Sequence, residues 1–438
     1  MSAITETDNR AGSARASGRR ARRSTGNDAI SYPLLVFAVH WLIVQAAATI
    51  AYRFGVPTAD SAPYRQLPPP LDGLGNLIVE PLRHWDGLWY ALIATEGYGG
   101  TTETARAAFW PLYPWLMSLG QQMTGWPVEV VGYVISNLAF AGALILLYRL
   151  VRLDFDLQVA RRALWALALF PTALFFTAVY TESLFLMLVV GALLAARQGH
   201  WLAAGLVGAL AALTRSYGVL LGLPFLVLLY QQFRYDLRRW FPAVIFAALP
   251  ILGPAIFGWH LDQVQGNWRA FIDVQTQWNR YGAMPWETMR CAVETCHRFS
   301  SGTGEITDGA DWRWAQQLAA NPGLDTLGSN AFRLAVADSD TLELVMTVLF
   351  LALAVIGLRA LPLYQSAYLV PGLLIPLFQP SEVHALMSMP RFGLTLFPLF
   401  IVIALLLRYR WLAIPAVIIS VILLVALTAQ FSLWYWVS

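Results

Sequence analysis

Lysine is absent from this chain: each of its 29 basic residues is an arginine. The arginines do not add up to a basic protein, because 26 acids leave a net charge of only +3. A nucleic-acid partner would need a clustered basic face, so none is expected. Charge of either sign is scarce, at 13% of residues, roughly half the share of a soluble domain. Hydrophobic residues reach 58% and the mean hydropathy is +0.55. A soluble enzyme is thereby excluded, and length says little about domain number. Only two cysteines occur, Cys291 and Cys296. A zinc site needs about four ligands, and none stand nearby, so neither a metal nor another cofactor is expected. The two thiols can pair if their loop faces an oxidising compartment, or stay free. The first 29 residues lack the apolar core of a cleaved signal peptide. They hold six arginines among small polar residues and read as a disordered cytoplasmic tail, 1–29, ahead of one transmembrane domain, 30–438. No internal repeat is visible, which removes the usual mark of a two-fold transporter.

What the chain has in abundance is uncharged apolar sequence. Nearly uncharged runs cover 33–52, 130–148, 163–181, 183–196, 201–214, 216–233, 240–261, 344–358, 360–378, 392–407 and 411–433. A spanning helix needs about 20 residues, so the shorter runs imply packing inside a bundle or snorkelling ends. The expected fold is an all-α polytopic membrane protein of about eleven spans. Arginines in short connections mark the cytoplasmic side. Arg149, Arg152, Arg161 and Arg162, then Arg197, then Arg234, Arg238 and Arg239, then Arg359, then Arg408 and Arg410 fall on alternate connections. The N-terminus is therefore expected inside. Two long acidic, Trp-rich loops, about 53–127 and 262–340, are expected outside.

Polar groups at membrane depth are costly and ask for a reason. Those expected on the outer side are Asp86, Glu103, Glu182, Arg215, Glu382, His384 and Arg391. A carboxylate held near a hydroxyl can act as a general base. Arginines and a histidine can hold a phosphate, arginine by a two-pronged fork. Together beside a bilayer they suit transfer of a group from a lipid-linked phosphate. Simpler roles stand beside these. Asp86 can cap a helix or pair with Arg83, Glu182 can cap the helix that follows it, Arg215 can snorkel, and His384 can be structural. The tryptophans suit interface anchoring and sugar stacking. The Asp154–Asp156 pair matches a metal-holding Asp-x-Asp, but lies among arginines and reads as a charge cluster. Asp338 and Asp340 read as the cap of the next helix.

Four ordered blocks carry a resemblance: "HWDGLWYALIATEGY", "ETARAAFWPLYP", "FFTAVYTESLFLMLVVGALLAAR" and "ALAALTRSYGVLLG", with "MPRFGLTLFPLF" at 389–400 similar as well. They resemble the GPI mannosyltransferase II family and its bacterial relatives, among the multi-span GT-C glycosyltransferases. The similarity covers about 83–223. Three positions depart from the pattern: His84 stands where the family has Arg, Tyr217 where it has Asn, and Trp110 where a second Phe is common.

The resemblance implies α-mannosyl transfer, with inversion, from a polyprenyl-phosphate-mannose donor at the extracytoplasmic face of the cell membrane. By resemblance Asp86 is the catalytic base. Arg215, His384 and Arg391 would hold the donor phosphate. His84, Trp85, Trp89, Tyr90, Glu103, Tyr180 and Glu182 would contact substrate. A lipid or glycolipid acceptor is expected. The alternatives are another sugar, a protein acceptor or, in a different class, a lipid or sugar transporter, which would place its charges mid-helix.

Overall fold

The computed structural model describes residues 4–57, 70–99, 104–234, 236–293, 339–382 and 384–437, with side chains from Asp28 onward except those of Leu237 and Ser339. The described residues are helical or irregular, apart from one isolated antiparallel bridge between Arg280 and Ser381. An all-helical answer follows from the solvent, since every backbone polar group at membrane depth must be satisfied within the chain. The helices are α1 (Ile4–Phe54), α2 (Asp86–Glu96), α3 (Leu112–Thr124), α4 (Val128–Asp154), α5 (Leu157–Ala168), α6 (Glu182–Arg197), α7 (Trp201–Thr214) and α8 (Gly222–Phe233). Then follow α9 (Leu237–Ala247), α10 (Leu252–Gln265), α11 (Ser339–Ala360), α12 (Leu363–Leu377), α13 (Met389–Leu394), α14 (Pro398–Leu406) and α15 (Arg410–Ser432), with several one-turn helices between them.

Among the described residues, six helical stretches are long and apolar enough to cross a membrane: Asp28–Phe54, Val128–Asp154, Ser216–Phe233, Arg238–Gln265, Asp340–Ala360 and Arg410–Ser432. Trp201–Thr214 and Leu363–Leu377 are shorter apolar helices. Length alone thus gives fewer spans than the eleven expected. The division of the chain at residue 29 rests on sequence alone.

The centre of the bundle is α6, packed between α4 and α7. Small residues let these helices approach closely, as in membrane bundles generally. A Cβ on Gly142 would meet the sulfur of Met187 at 2.8 Å. The α1–α15 contact joins the two ends of the described chain, and α14 packs on α5.

One expected span is not a helix. Residues 163–181 read as a continuous apolar run, but α5 stops at Ala168, and a turn and the one-turn helix Ala173–Phe176 follow before α6 begins. Pro171 offers no amide to continue α5. The irregular stretch is fully buried, and neighbouring helices supply its partners. The Nδ1 of His40 on α1 lies 2.6 Å from the carbonyl of Ala168, and its Nε2 lies 3.0 Å from the Thr177 hydroxyl. Asn137 on α4 donates to the Thr177 carbonyl (3.3 Å), and Ser136 to the Tyr180 carbonyl (2.9 Å). Irregular backbone survives at such depth only when buried in protein and satisfied in this way. Its effect is to deliver Thr181 and Glu182 at the start of α6, facing the loop that leads into α2.

That loop is tied down by charge. Arg83 is buried and pairs with Glu80 and with Glu129 at the start of α4, both at 2.9 Å. The Val179 amide donates to the Leu82 carbonyl at 3.0 Å. The segment after α10 is fastened to the segment after α12. Ser381 donates to the Trp278 carbonyl (2.9 Å), and Thr288 to the Leu377 carbonyl (2.7 Å). The Glu382 amide donates to the Asn279 carbonyl at 2.8 Å.

Candidate active site

A cavity of about 400 Å³ opens where these loops meet. Asp86 and Tyr90 reach it from α2, and Arg215 and Tyr217 from the turn after α7. Trp278 and Arg280 come from the segment after α10, Ser388 and Arg391 from the segment before α14, and Trp436 from beyond α15. The turn holding Arg215 demands glycine at Gly218, where an added Cβ would lie 2.2 Å from the Ala212 amide nitrogen.

Asp86 is the first residue of α2, and its carboxylate pairs with the guanidinium of Arg391. Arg391 is nearly buried and also approaches Glu182: its Nε lies 3.3 Å from Glu182 Oε1, close enough for an ion pair but not aligned as a hydrogen bond. The same Glu182 oxygen pairs with Arg215, whose Nη1 also donates to the Thr181 hydroxyl at 3.2 Å. Glu182 is fully buried, and its other oxygen has no hydrogen-bond partner. The result is a chain of alternating charge, Asp86–Arg391–Glu182–Arg215, along one wall. Burial works against the charge of Arg391, but Asp86 and Glu182 outweigh it and hold the guanidinium firmly protonated.

Arg280 differs from the other two arginines. It donates to the carbonyl of Gln379 at 2.9 Å and has no ion pair with an acid among the described residues. Burial lowers its guanidinium from the ordinary value, and the nearby Arg391 adds to this. Three guanidiniums therefore share the cavity region with two carboxylates, leaving an excess of positive charge suited to an anion.

The residue before Asp86 is strained. Trp85 has φ 57°, a rare value for a bulky side chain, and such outliers persist only where surroundings enforce them. Here the enforcement comes from beyond α15. Trp85 donates to the Tyr435 carbonyl (3.2 Å), and its ring meets Trp434 and Trp436 edge-on at 5.9 and 5.2 Å. Tyr180 adds a brace: its hydroxyl accepts from the Asp86 amide (3.2 Å) and donates to the His84 carbonyl (3.1 Å).

The expected site residues thus divide. Asp86, Tyr90, Arg215 and Arg391 line the cavity. Glu182 and Tyr180 stand behind that wall and position it. His84 is fully buried, stacked on Trp434 with ring centres 3.8 Å apart, and does not line the cavity. Trp85 is a support, and Trp89 stacks on Phe109 at 5.6 Å. His384 pairs with Asp340 at 2.8 Å and does not line the cavity. Glu103 lies outside the described residues. Arg83 does not pair with Asp86, since its partners are Glu80 and Glu129. Asp154 is no free charge cluster either: it takes Arg197 (2.5 Å), Tyr364 (2.6 Å) and Gln365 (3.3 Å), while Asp156 caps α5. Cys291 is disulfide-bonded. Sequence reasoning missed Arg280, Trp278 and Trp436. Only their place in Trp-rich segments could have signalled them.

The family model for Mannosyltransferase (PIG-V) matches residues 32–250, half of the chain. Those residues include Asp86, Glu182 and Arg215, while Arg280 and Arg391 lie beyond. No match is found among curated protein sequences. Two solved structures are similar to this chain at low identity. ArnT from Cupriavidus metallidurans, bound to undecaprenyl phosphate, is 14% identical with a TM-score of 0.39, over 86% of this chain and 78% of that one. The Archaeoglobus fulgidus oligosaccharyltransferase, in its apo form, is 14% identical with a TM-score of 0.40, over 92% of this chain and 55% of that one. The chain thus spans about half the length of that oligosaccharyltransferase. Neither likeness bears on chemistry.

Proposed function

The chain belongs to the mannosyltransferase (PIG-V) family, and from that premise we propose that it moves mannose from a polyprenyl-phosphate donor to a lipid or glycolipid acceptor. It is a membrane glycosyltransferase, and transfer takes place on the extracytoplasmic face. The observation that carries this reading is the wall of the cavity, where one carboxylate, Asp86, stands in ion-pair contact with Arg391 and in the same cavity as Arg215 and Arg280.

A phosphate needs cations, and a departing phosphate is stabilised by preorganised guanidiniums in a site shielded from water. Arg280, which has no ion pair with an acid among the described residues, takes a donor phosphate oxygen first. Arg391 is the second contact. As the phosphate engages it, the hold of Arg391 on Asp86 weakens and frees a carboxylate oxygen. The acceptor hydroxyl then attacks the anomeric carbon from the face opposite the phosphate. The new C–O bond forms as the carbon–phosphate oxygen bond breaks, the hydroxyl proton passes to Asp86, and the polyprenyl phosphate leaves. A β-linked donor gives an α-linked product. Phosphate is a good leaving group, so one base suffices and a second carboxylate acid is not required. Glu182 keeps Arg391 and Arg215 in place. Tyr217, Trp278 and Trp436 give the sugar and acceptor aromatic walls.

The test is incubation of membranes containing this protein with labelled polyprenyl-phosphate-mannose, followed by solvent extraction. A labelled lipid whose mannose is released by α-mannosidase supports the proposal. Label that stays on the donor, or enters product only from a sugar nucleotide, overturns it.

A further inference from the structure

Outside the cavity wall, Asp340, Glu343 and His384 bring one carboxylate oxygen each and an imidazole nitrogen within 4.8 Å of one another. Asp340 and Glu343 are three apart on α11 and so share one face of it. His384 arrives from the segment that leads to Arg391. Two features set this group apart from a surface cluster. Glu343 is fully buried, and no arginine or histidine forms an ion pair with it among the described residues. Its Oε1 accepts from the Ser388 amide at 2.9 Å, while its Oε2 has no hydrogen-bond partner. Buried carboxylates are normally paired with a cation or bound to a metal. The half-satisfied Glu343 therefore points to a ligand.

We propose that Asp340, Glu343 and His384 bind one divalent first-row metal ion. An imidazole with two carboxylates is a nitrogen–oxygen donor set that suits zinc or manganese. Three protein ligands leave a position for water. Ligand atoms about 2.0–2.2 Å from an ion in tetrahedral array stand roughly 3.3 Å apart. His384 Nδ1 and Asp340 Oδ1 are 2.8 Å apart, so they open slightly to admit the ion while Glu343 draws in. The ion fastens the 384–391 segment to α11. The Ser388 amide already donates to Glu343, and the Ser388 carbonyl accepts from the Arg391 amide at 3.1 Å. Metal occupancy therefore positions the helix turn that carries Arg391, and through it the partner of Asp86. No part of this rests on mannose being the transferred group.

The test uses the full chain in detergent, with an affinity tag free of histidine. The protein is stripped with a chelator and equilibrated with Zn²⁺ or Mn²⁺ alone. Metal content is read by mass spectrometry and affinity by competition with a fluorescent chelator. Wild type and His260→Ala, a histidine remote from the cluster, should each hold one ion per chain. His384→Ala and Glu343→Gln should each bind at least about tenfold more weakly, the scale at which even supporting residues of metal sites act. Zinc should raise the unfolding temperature of wild type and not of His384→Ala. Because His384 is part-exposed, that variant decides the matter if Glu343→Gln folds poorly. Wild type that retains neither ion, or His384→Ala that binds as wild type does, overturns the proposal.

Discussion

Asp86 and Arg391 stand 305 residues apart in the chain and share an ion pair at the wall of one cavity. Each is nearly buried, and each is the other's closest charge. Sequence gave them separate roles, one on the proton and one on the phosphate. The structure makes them a pair in which occupying one partner changes what the other can do.

The first prediction follows from that pairing. Asp86→Asn keeps size and loses proton acceptance, so the transfer rate should fall by about 10²–10⁴. Donor binding should persist or tighten a few-fold, because Arg391 loses its anionic competitor. Rate and donor affinity measured on the same purified variant check both halves. Near-normal turnover removes Asp86 from the chemistry.

Arg391→Ala should behave as removal of one partner from a buried charge network, which costs about 3–5 kcal/mol. Thermal unfolding in detergent should show a large drop. Arg391→Lys keeps the charge but loses the fork that spans Asp86 and Glu182. It should fold nearly normally and lose at least about tenfold in transfer rate.

Arg280→Gln tests the cation that has no ion pair with an acid among the described residues. No ion pair is broken, so stability should change by less than about 0.5 kcal/mol. A hydrogen bond to a charged group is worth about 1.5–3 kcal/mol, so the donor KM should rise about tenfold or more. An unchanged KM would assign Arg280 to the rim of the cavity and not to the phosphate.

The buried irregular stretch before α6 makes a prediction about stability alone. His40→Leu strips the Ala168 carbonyl and the Thr177 hydroxyl of their shared partner. Each buried group left unsatisfied costs about 1–3 kcal/mol. The unfolding temperature should fall clearly, with Asn137 and Ser136 still holding the rest of the stretch. A variant as stable as wild type would mean water replaces the imidazole.

Orientation is testable by chemistry on the second outer loop. Cysteine placed at residue 308, with Cys291 and Cys296 replaced by serine, should react in intact cells with a membrane-impermeant maleimide. Reaction only after lysis would reverse the topology and move the cavity to the cytoplasm.

The helical membrane bundle was legible from composition and from the apolar runs, because the bilayer restricts the backbone so strongly. The four blocks around Asp86, Glu182 and Arg215 were legible because each is local in sequence. The 163–181 stretch was misread as a span. Its composition is as apolar as a helix, and its true partners, His40, Ser136 and Asn137, sit on other helices. His84 and His384 were drawn to the site by their chemistry, yet one is packed beneath Trp434 and the other is turned toward α11. Arg280 was passed over, since an arginine without an acid partner looks no different in a sequence from one that has found its own. The cysteines and the Asp154–Asp156 pair are local patterns, whereas the proposed metal ligands Asp340 and His384 lie 44 positions apart and meet only when the chain folds back.

Trp85 and the Tyr435 carbonyl that holds it are 350 residues apart. A chain that emerges from the ribosome N-terminus first places Trp85 in the membrane long before Tyr435 exists. During that interval the contacts from Trp434, Tyr435 and Trp436 that hold the backbone angle at Trp85 are missing, while Tyr180 can already brace the loop bearing Asp86. The loop that carries Asp86 takes its final setting only once Trp434, Tyr435 and Trp436 have been made. Timing is thus built into the covalent order of the chain: the proposed base, Asp86, waits on a contact whose other half is made 350 positions later than its neighbour Trp85.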